Sequence, residues 1–226
     1  MNNVIYIIGT PIGNLQDITQ RALETLKSVD VILCEDTRVT SKLLARYDIR
    51  KTLVAYHQHS KLSKTEHILE MLRDGKNIAL VSDAGTPGIS DPGGALVEAV
   101  INAFGDEIKI VPIPGANGAI TALSVSGFPT DSFRFLGFPP HKKGRKTYFE
   151  NIAEIPETVV FYESKHRIEK CLIELGASIG ERPVMVAREL TKQFETLYRG
   201  TALECLEALN ADKTLGEFVV VVRALK

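Results

Sequence analysis

The stretch "NIALVSDAGTPGISDPGGALVEAVINAF", Asn77 to Phe104, decides the fold class. Ile78 to Val81 is an uninterrupted apolar run of the kind that forms a strand buried on both faces. Ala95 to Phe104 carries its apolar residues at helical spacing. Between them, Leu80 to Gly94 holds four glycines, two prolines and two Ser-Asp pairs. Asp91 followed by Pro92 reads as the N-cap and first position of the helix. A strand feeding through a glycine-rich loop into a helix is the repeating unit of an α/β sheet, and such sheets bind ligands beyond the carboxyl ends of their strands.

Outward from this unit the same alternation recurs. Val4 to Ile8 reads as a central strand, with "GTPIGNLQD" as its loop and Asp17 as the cap of a helix carrying Ile18, Ala22, Leu23 and Leu26. "VDVILC" is a strand, "EDTRVTSKLLARY" a helix and "LVAY" a short strand. Ser63 and Glu66 have capping-box spacing, with Gly75 as the closing glycine. "KIVPIPG" is a further strand, and "ANGAITALSVSGF" a closely packed helix. About five strand–helix alternations predict a mostly parallel sheet with helices on both faces. The second half is less regular. "SFRFLGF", "TVVFYES", "PVMVARELT" and "GEFVVVVRAL" read as strands, Phe133 and Phe135 as core residues, and "HRIEKCLIELG" as a helix closed by Gly176. "FETLYRG" is a short element beside a strand, which suggests a mixed sheet. The expectation is two α/β domains, 1–115 and 116–226, with the Pro-Gly-rich turn near Pro114 to Gly118 between them.

The 226 residues suit two small domains, and 44% hydrophobic with 24% charged residues is an ordinary globular balance. A net charge of −1 makes the molecule as a whole no attractor of nucleic acid, so any RNA contact needs a local basic patch. Cys34, Cys171 and Cys205 are far apart and form no CxxC pair, which argues against zinc and against a disulfide framework. "MNNVIYIIGTP" lacks a basic n-region, and no apolar stretch reaches the length of a membrane span. The reading is a soluble cytoplasmic protein.

"GTPIGN", Gly9 to Asn14, is near the dinucleotide fingerprint G-x-G-x-x-G but does not match it, because Pro11 stands in the turn and the third glycine is missing. A plain tight turn is preferred over an NAD site. The loop after Leu80 lacks the G-K-[ST] of a phosphate loop and has neither lysine nor arginine. It offers backbone N–H groups at Ala84, Gly85, Thr86 and Gly88 and carboxylates at Asp83 and Asp91. That combination suits a polar ligand that is not polyanionic, such as an adenosine bearing a positive centre or an amino-acid tail. "HKKGRK", His141 to Lys146, is the sharpest basic cluster, a solvated face or a grip on phosphates. Arg38, Lys42, Arg46, Arg50 and Lys51 form a second. His57 and His59 in "YHQH" lack a carboxylate or cysteine partner, so no metal is expected. "FYESKHR" and "ARELTK" place charges directly after buried-looking strands, where a site is readily built.

The blocks "YIIGTPIGNLQDITQRALETL", "CEDTRVTSKLL", "YHQH", "LVSDAGTPGISDPG", "VPIPGANGAITALSVSGF", "FLGFPPHKKGRK", "FYESKHRI", "ARELTKQFE" and "GEFVVVV" together resemble the tetrapyrrole methylase superfamily, the class III S-adenosylmethionine-dependent methyltransferases. Within it they are most similar to the branch that methylates the ribose 2′-oxygen of a cytidine in small-subunit (16S) ribosomal RNA. The resemblance runs from near Val4 to Val222. It implies two α/β domains with the methyl donor in a cleft between them, S-adenosylmethionine as cofactor, the 30S subunit or its RNA as partner, and a homodimer. Carried onto matching positions, it places the donor against Pro11, Ile12, Asp83, Gly85, Thr86, Pro87, Asn117, Gly118, Ala119, Tyr162 and Ala187. Members of this branch commonly continue past the last strand into a small C-terminal domain, whereas this sequence ends at Lys226.

Methyl transfer from a sulfonium to a ribose hydroxyl needs alignment of the two centres and a base to take the proton. Glu35, Asp36, Glu163 and Glu189 are the candidates for the base, with Arg38, Lys165 and Arg188 as orienting or charge-stabilising groups. Structural ion pairing is the competing role for each. Arg38, Lys142, Lys143, Arg145 and Lys146 are the candidate RNA contacts. Two rival readings are a class III methyltransferase of a small molecule or protein, of tetrapyrrole or diphthine type, and a non-catalytic module that binds the donor or RNA. The basic cluster and "CEDTR" disfavour the first. Of the two Ser-Asp pairs, Ser82–Asp83 is expected to face the donor and Ser90–Asp91 to cap the helix.

Overall fold

A computed structural model of the chain describes residues 3–57, 62–91, 93–212 and 215–225. The chain divides into two compact units, Met1–Asn117 and Gly118–Lys226.

The first unit comprises β1 (Val4–Ile8), a 3-10 turn at Leu15–Asp17, α1 (Gln20–Ser28), β2 (Val31–Cys34), α2 (Thr37–Arg46), β3 (Thr52–Ala55), α3 (Leu62–Arg73), β4 (Ile78–Leu80), α4 (Gly93–Phe104) and β5 (Lys109–Ile113). Its five strands form one sheet in the order β3-β2-β4-β1-β5, every neighbouring pair parallel. Helices cover both faces, as a parallel sheet requires. Ala22 and Leu26 of α1 and Leu44 of α2 pack with Ile8, Ile32, Cys34 and Ala79 on one face. Ile68, Leu69 and Leu72 of α3 and Leu96 and Val100 of α4 pack with Ile5, Val31, Leu33 and Ile78 on the other. Adjacent strands β1 and β4 therefore send their following helices to opposite faces. Their loops diverge at the carboxyl edge, the arrangement that leaves room for a ligand there.

Two local readings change. Asp17 lies in the 3-10 turn, and the helix cap is Thr19, whose side chain accepts from the Ala22 N–H at 3.1 Å. Ser63 lies inside α3, which already includes Leu62, so it does not cap that helix. Gly75 does close α3, at φ +88°, with its N–H donating to the Leu72 carbonyl. Pro92 and His59 lie outside the described residues.

The second unit comprises α5 (Gly118–Ser126), β6 (Phe133–Phe135), α6 (Arg145–Glu154), β7 (Thr158–Ser164), α7 (Ile168–Ile179), β8 (Val184–Arg188), β9 (Thr196–Gly200), α8 (Ala202–Ala211) and β10 (Glu217–Val222). Its sheet has the order β6-β7-β10-β8-β9, with β6 parallel to β7 and the remaining pairs antiparallel. This is the mixed sheet expected. Phe161, Val186, Phe218 and Val220 form the core face with Phe149 of α6, Leu172 of α7 and Leu209 of α8. The alternate residues of β7, β8 and β10 point to the opposite face. α7 runs through Gly176 and ends at Ile179, with Gly180 at φ +57° as its cap. Phe133 sits on the edge strand and is 40% exposed, so it is not a core residue. All three cysteines are buried and free. No helix among the described residues is long and apolar enough to cross a membrane.

Within the first unit, the turns after β1 and β5 meet backbone against backbone. A Cβ on Gly115 would lie 2.7 Å from the Gly9 oxygen, and one on Gly9 would lie 2.8 Å from the Gly115 Cα. Neither contact has a flexible side chain that can give way. Gly115→Ala is therefore expected to destabilise the first unit by about 1–3 kcal/mol, measured as a lowered urea midpoint. A midpoint equal to the parent's would show that the two turns can part without cost.

Candidate active site

The carboxyl edge of the first sheet gathers the loops singled out in the sequence. The loops after β1 and β4 join through a two-residue bridge: the Thr10 N–H donates to the Gly85 carbonyl at 2.9 Å and the Gly85 N–H to the Thr10 carbonyl at 3.1 Å. The buried Thr10 hydroxyl donates to the Ser82 carbonyl at 3.1 Å. The loop after β5 is tied in by Thr86, whose hydroxyl donates to the Ala116 carbonyl at 3.2 Å. Gly85, at φ +83°, lies with its Cα face toward Ile12 and Ala116, where a Cβ would make ordinary contacts at 3.5 and 3.7 Å. Pro11, Gly85 and Pro87 are buried, Ile12, Thr86 and Asn117 half-buried, and Asp83 exposed.

The loop's N–H groups are not arrayed as an anion cradle. That of Gly85 goes to Thr10, and that of Gly88 donates to the Asp91 carboxylate at 2.6 Å. Asp91 also accepts from the Gly93 N–H at 2.8 Å, at the start of α4. Ser82 is buried, and its hydroxyl lies 3.2 Å from the carbonyls of Ala84 and Gly85. Of the first Ser-Asp pair, then, the serine holds the loop and the aspartate is the exposed member. Carboxylates dominate the surrounding edge. Asp83 accepts from the Asp36 N–H at 3.0 Å, while Glu35 accepts from the Asp83 N–H at 3.3 Å, clasping the ends of the neighbouring strands β2 and β4.

The two carboxylates after β2 differ in character. Asp36 caps α2 and is held by the Arg38 guanidinium at 2.5 Å, which, with the Arg38 N–H, keeps its pKa down at about 2. Burial lifts the Glu35 carboxyl above its ordinary value; the Asp83 N–H opposes the rise, and the charges of Asp83 and Asp91 add to it. Glu35 is thus the carboxylate at this edge drawn toward neutrality.

In the second unit, the Tyr162 hydroxyl accepts from the Ala119 N–H at 3.1 Å, and Gly118 faces the same ring, where a Cβ would sit 3.4 Å from it. Burial raises the Tyr162 pKa, partly offset by that N–H. Tyr162 and Ala187 are both in register with Val219 of the intervening β10, so they occupy one cross-strand row on one face. Ala187 itself is fully buried.

The remaining candidates are engaged by partners of their own or exposed. Glu163 is buried, paired with Arg145 at 3.4 Å and with Arg167 at 2.8 Å. Arg145 is buried too, bonded to Glu174 at 2.6 Å and lying over the Phe149 ring, which removes it from any solvent-facing patch. Arg188 is buried, donating to Asp212 at 2.7 Å and to the Leu215 carbonyl at 2.7 Å. Glu189, at φ +52°, accepts from Lys192 and from the Glu217 N–H, each at 2.9 Å. Burial works to raise its pKa, but these partners outweigh it and leave the carboxyl lowered. Lys142, Lys143, Lys146 and Lys165 are exposed, as is Arg38. No group of His, Cys, Asp and Glu among the described residues is fit to hold a metal ion. A recess of about 500 Å³ lined by Ser41, Asp48, Arg50 and Lys51 lies where α2 turns into β3, at the opposite edge of the sheet from the loops above.

Sequence reasoning gave no such role to Gly9, Thr10 and Gly115, which bind the three loops together, or to Arg167 and Glu174, which pair with Glu163 and Arg145 respectively. A glycine within two residues of the end of each of two strands, in "GTP" and "PGAN", was the available signal for the first group. Nothing in the sequence spacing signals the second.

The family Tetrapyrrole (Corrin/Porphyrin) Methylases matches residues 4–205, and the chain belongs to this family. Relatives bearing the name "Ribosomal RNA small subunit methyltransferase I" include that of Haemophilus influenzae, 50% identical over 226 residues, covering 98% of this chain and 79% of the relative. That of Bacillus subtilis is 47% identical over 220 residues, covering 97% and 74%. The solved structure of uroporphyrin-III C-methyl transferase from Thermus thermophilus complexed with S-adenyl homocysteine matches with a TM-score of 0.65 at 17% identity, covering 97% of each chain. At that identity the likeness establishes the fold alone.

Glu35 makes a pH prediction. Because its folded pKa is raised, the stability it contributes is fully present below its unfolded value of about 4.5 and is lost as pH rises through the folded value. Glu35→Gln removes that loss. The melting temperature of the variant, relative to the parent, is expected to increase from about pH 4 to about pH 7. A difference independent of pH would show that Glu35 is not desolvated.

Proposed function

We propose that this chain is an S-adenosylmethionine-dependent methyltransferase that methylates the ribose 2′-oxygen of a cytidine in small-subunit (16S) ribosomal RNA, acting in the cytoplasm as a homodimer. The observation that carries the reading is the 50% identity, through 98% of the chain, to a relative named for methylation of small-subunit ribosomal RNA. The structural relative complexed with S-adenyl homocysteine, the demethylated form of the same donor, supports the cofactor.

The residues present fit that donor. The loop from Leu80 to Gly94 has no lysine or arginine, and its Gly85 and Gly88 N–H groups are engaged internally. Exposed Asp83 and the carboxylates of Glu35 and Asp36 make the edge acidic, which favours a sulfonium and an ammonium over a phosphate. Pro11, Ile12, Asp83, Gly85, Thr86, Pro87 and Asn117 of the first unit would hold the donor, and Gly118, Ala119, Tyr162 and Ala187 of the second are proposed to touch it. When bound, the donor supplies an electrophilic methyl group on a positively charged sulfur. What the chain contributes is alignment of the acceptor oxygen with that group and removal of the hydroxyl proton. Glu35 is the proposed base, because its proton affinity is raised. Asp36, with a pKa of about 2 and Arg38 on its oxygens, is the poorer base and positions Arg38 instead. Glu189 and Arg188 are occupied by their own partners. Arg38, Lys142, Lys143 and Lys146 are the exposed cations proposed to meet RNA phosphates.

Transfer of a labelled methyl group to small subunits, naked RNA and a tetrapyrrole tests the reading. Label is expected in ribosomal RNA, at a phosphodiester that resists alkali because its 2′-oxygen is blocked. Label on the tetrapyrrole alone would overturn it. Glu35→Gln is expected to lower kcat by about 100-fold or more with donor affinity kept; normal turnover would remove Glu35 as the base. Replacing Lys142, Lys143 and Lys146 by glutamine is expected to reduce the salt slope of RNA binding by about 2, and an unchanged slope would make them a solvated face.

A further inference from the structure

The segment Gly137 to Gly144 leaves edge strand β6 and carries the exposed Lys142 and Lys143, yet its backbone is pinned at three carbonyls. The Tyr162 N–H donates to the Gly137 oxygen at 2.8 Å. The Arg167 guanidinium donates to the Pro139 oxygen at 3.1 Å, and the Arg145 guanidinium to the Pro140 oxygen at 3.1 Å. One carboxylate serves both arginines: Glu163, with no exposed side-chain surface, meets Arg167 at 2.8 Å and Arg145 at 3.4 Å, through different oxygens. Its Arg167-facing oxygen also accepts from the Ser164 N–H at 2.7 Å. Glu174 takes the second side of Arg145 at 2.6 Å. Phe138 of the segment lies against the Tyr162 ring at 5.4 Å between centroids.

Two prolines follow Phe138, so Pro139 and Pro140 have no N–H with which to form a ladder or a helix. Only their carbonyls can be held, and each is held by a guanidinium that pairs with Glu163, shared in the case of Arg145 with Glu174. A carboxylate buried this deeply is costly unless it is paired, and here both its oxygens have cationic partners.

Resting on the function proposed above, we propose that Glu163 is a positioning residue for RNA: through Arg145 and Arg167 it fixes the Gly137–Gly144 segment as a rigid arm that presents Lys142 and Lys143 to the phosphates. It does not take the proton of the acceptor hydroxyl. An ordered arm binds with less loss of conformational freedom than a loose one. Tyr162, which holds both the arm and the Ala119 N–H, links the arm to residues proposed to touch the donor.

The test separates position from charge. Glu163→Gln removes a negative charge near a basic arm, so electrostatics alone would tighten RNA binding. The positioning role requires the reverse. KM for the small subunit is expected to rise at least fivefold, kcat at saturation to stay within twofold, and the donor dissociation constant to stay unchanged. Exchange at the amides of Phe138 and His141 to Gly144 is expected to quicken while the rest of the second unit stays protected. Arg167→Lys keeps the charge but loses the fork; it is expected to raise KM in the same direction, and it tests the proposal if Glu163→Gln fails to fold. A folded variant with unchanged or lowered KM and unchanged exchange overturns the proposal, as does a fall in kcat at constant KM, which would make Glu163 the base. A parent protein that transfers no methyl group to ribosomal RNA overturns the functional reading and this inference with it. An active parent with an unaltered Glu163→Gln variant overturns this inference alone.

Discussion

The contact between Gly9 and Gly115 is the constraint on which the candidate site depends. Two turns leaving neighbouring parallel strands approach until backbone touches backbone, closer than any side chain allows. From that contact the loop after β1 runs directly into the Thr10–Gly85 bridge, and the loop after β5 into the Thr86–Ala116 bond. Three loops that diverge toward opposite faces of the sheet are thereby made one rigid edge. Preorganisation of this kind removes the ordering cost that a mobile glycine-rich loop would add to ligand binding.

Charge then decides what that edge suits. A phosphate-binding loop presents free N–H groups and a cation at a helix start. Here the aspartate before α4 occupies the N–H groups of Gly88 and Gly93, and the adjoining strand ends supply further carboxylates. The same carboxylates repel one another, and that repulsion, added to burial, makes Glu35 a better proton acceptor than its neighbour Asp36. Residues one position apart acquire different chemistry from their burial and their partners.

The second unit handles charge in the opposite way. Its charged motifs, "FYESKHR" and "HKKGRK", each divide between buried and exposed residues. Tyr162 points to the α5 side, and Glu163, one residue on, points to the side of α6 and α7, where it meets Arg145. A cluster that reads as six residues of basic surface is therefore a buried arginine flanked by exposed lysines. The alternation of a strand and the turn of a helix together produce that division.

The sequence by itself determined the class of fold, the strand–loop–helix order, and the lack of lysine and arginine beside two aspartates in the loop after β4. Each of these is local: apolar periodicity, turn residues and composition suffice. It left Asp17 and Ser63 misplaced as caps, because capping depends on where neighbouring turns begin. It placed Arg145 among surface cations and gave no sign that Glu163 is buried between two arginines, because charge in a sequence carries no information about burial. Only the tertiary structure decided which carboxylate is lifted in pKa, which arginines hold carbonyls and which glycines are pressed together, since these depend on groups up to 106 residues apart, as with Gly9 and Gly115, meeting in space.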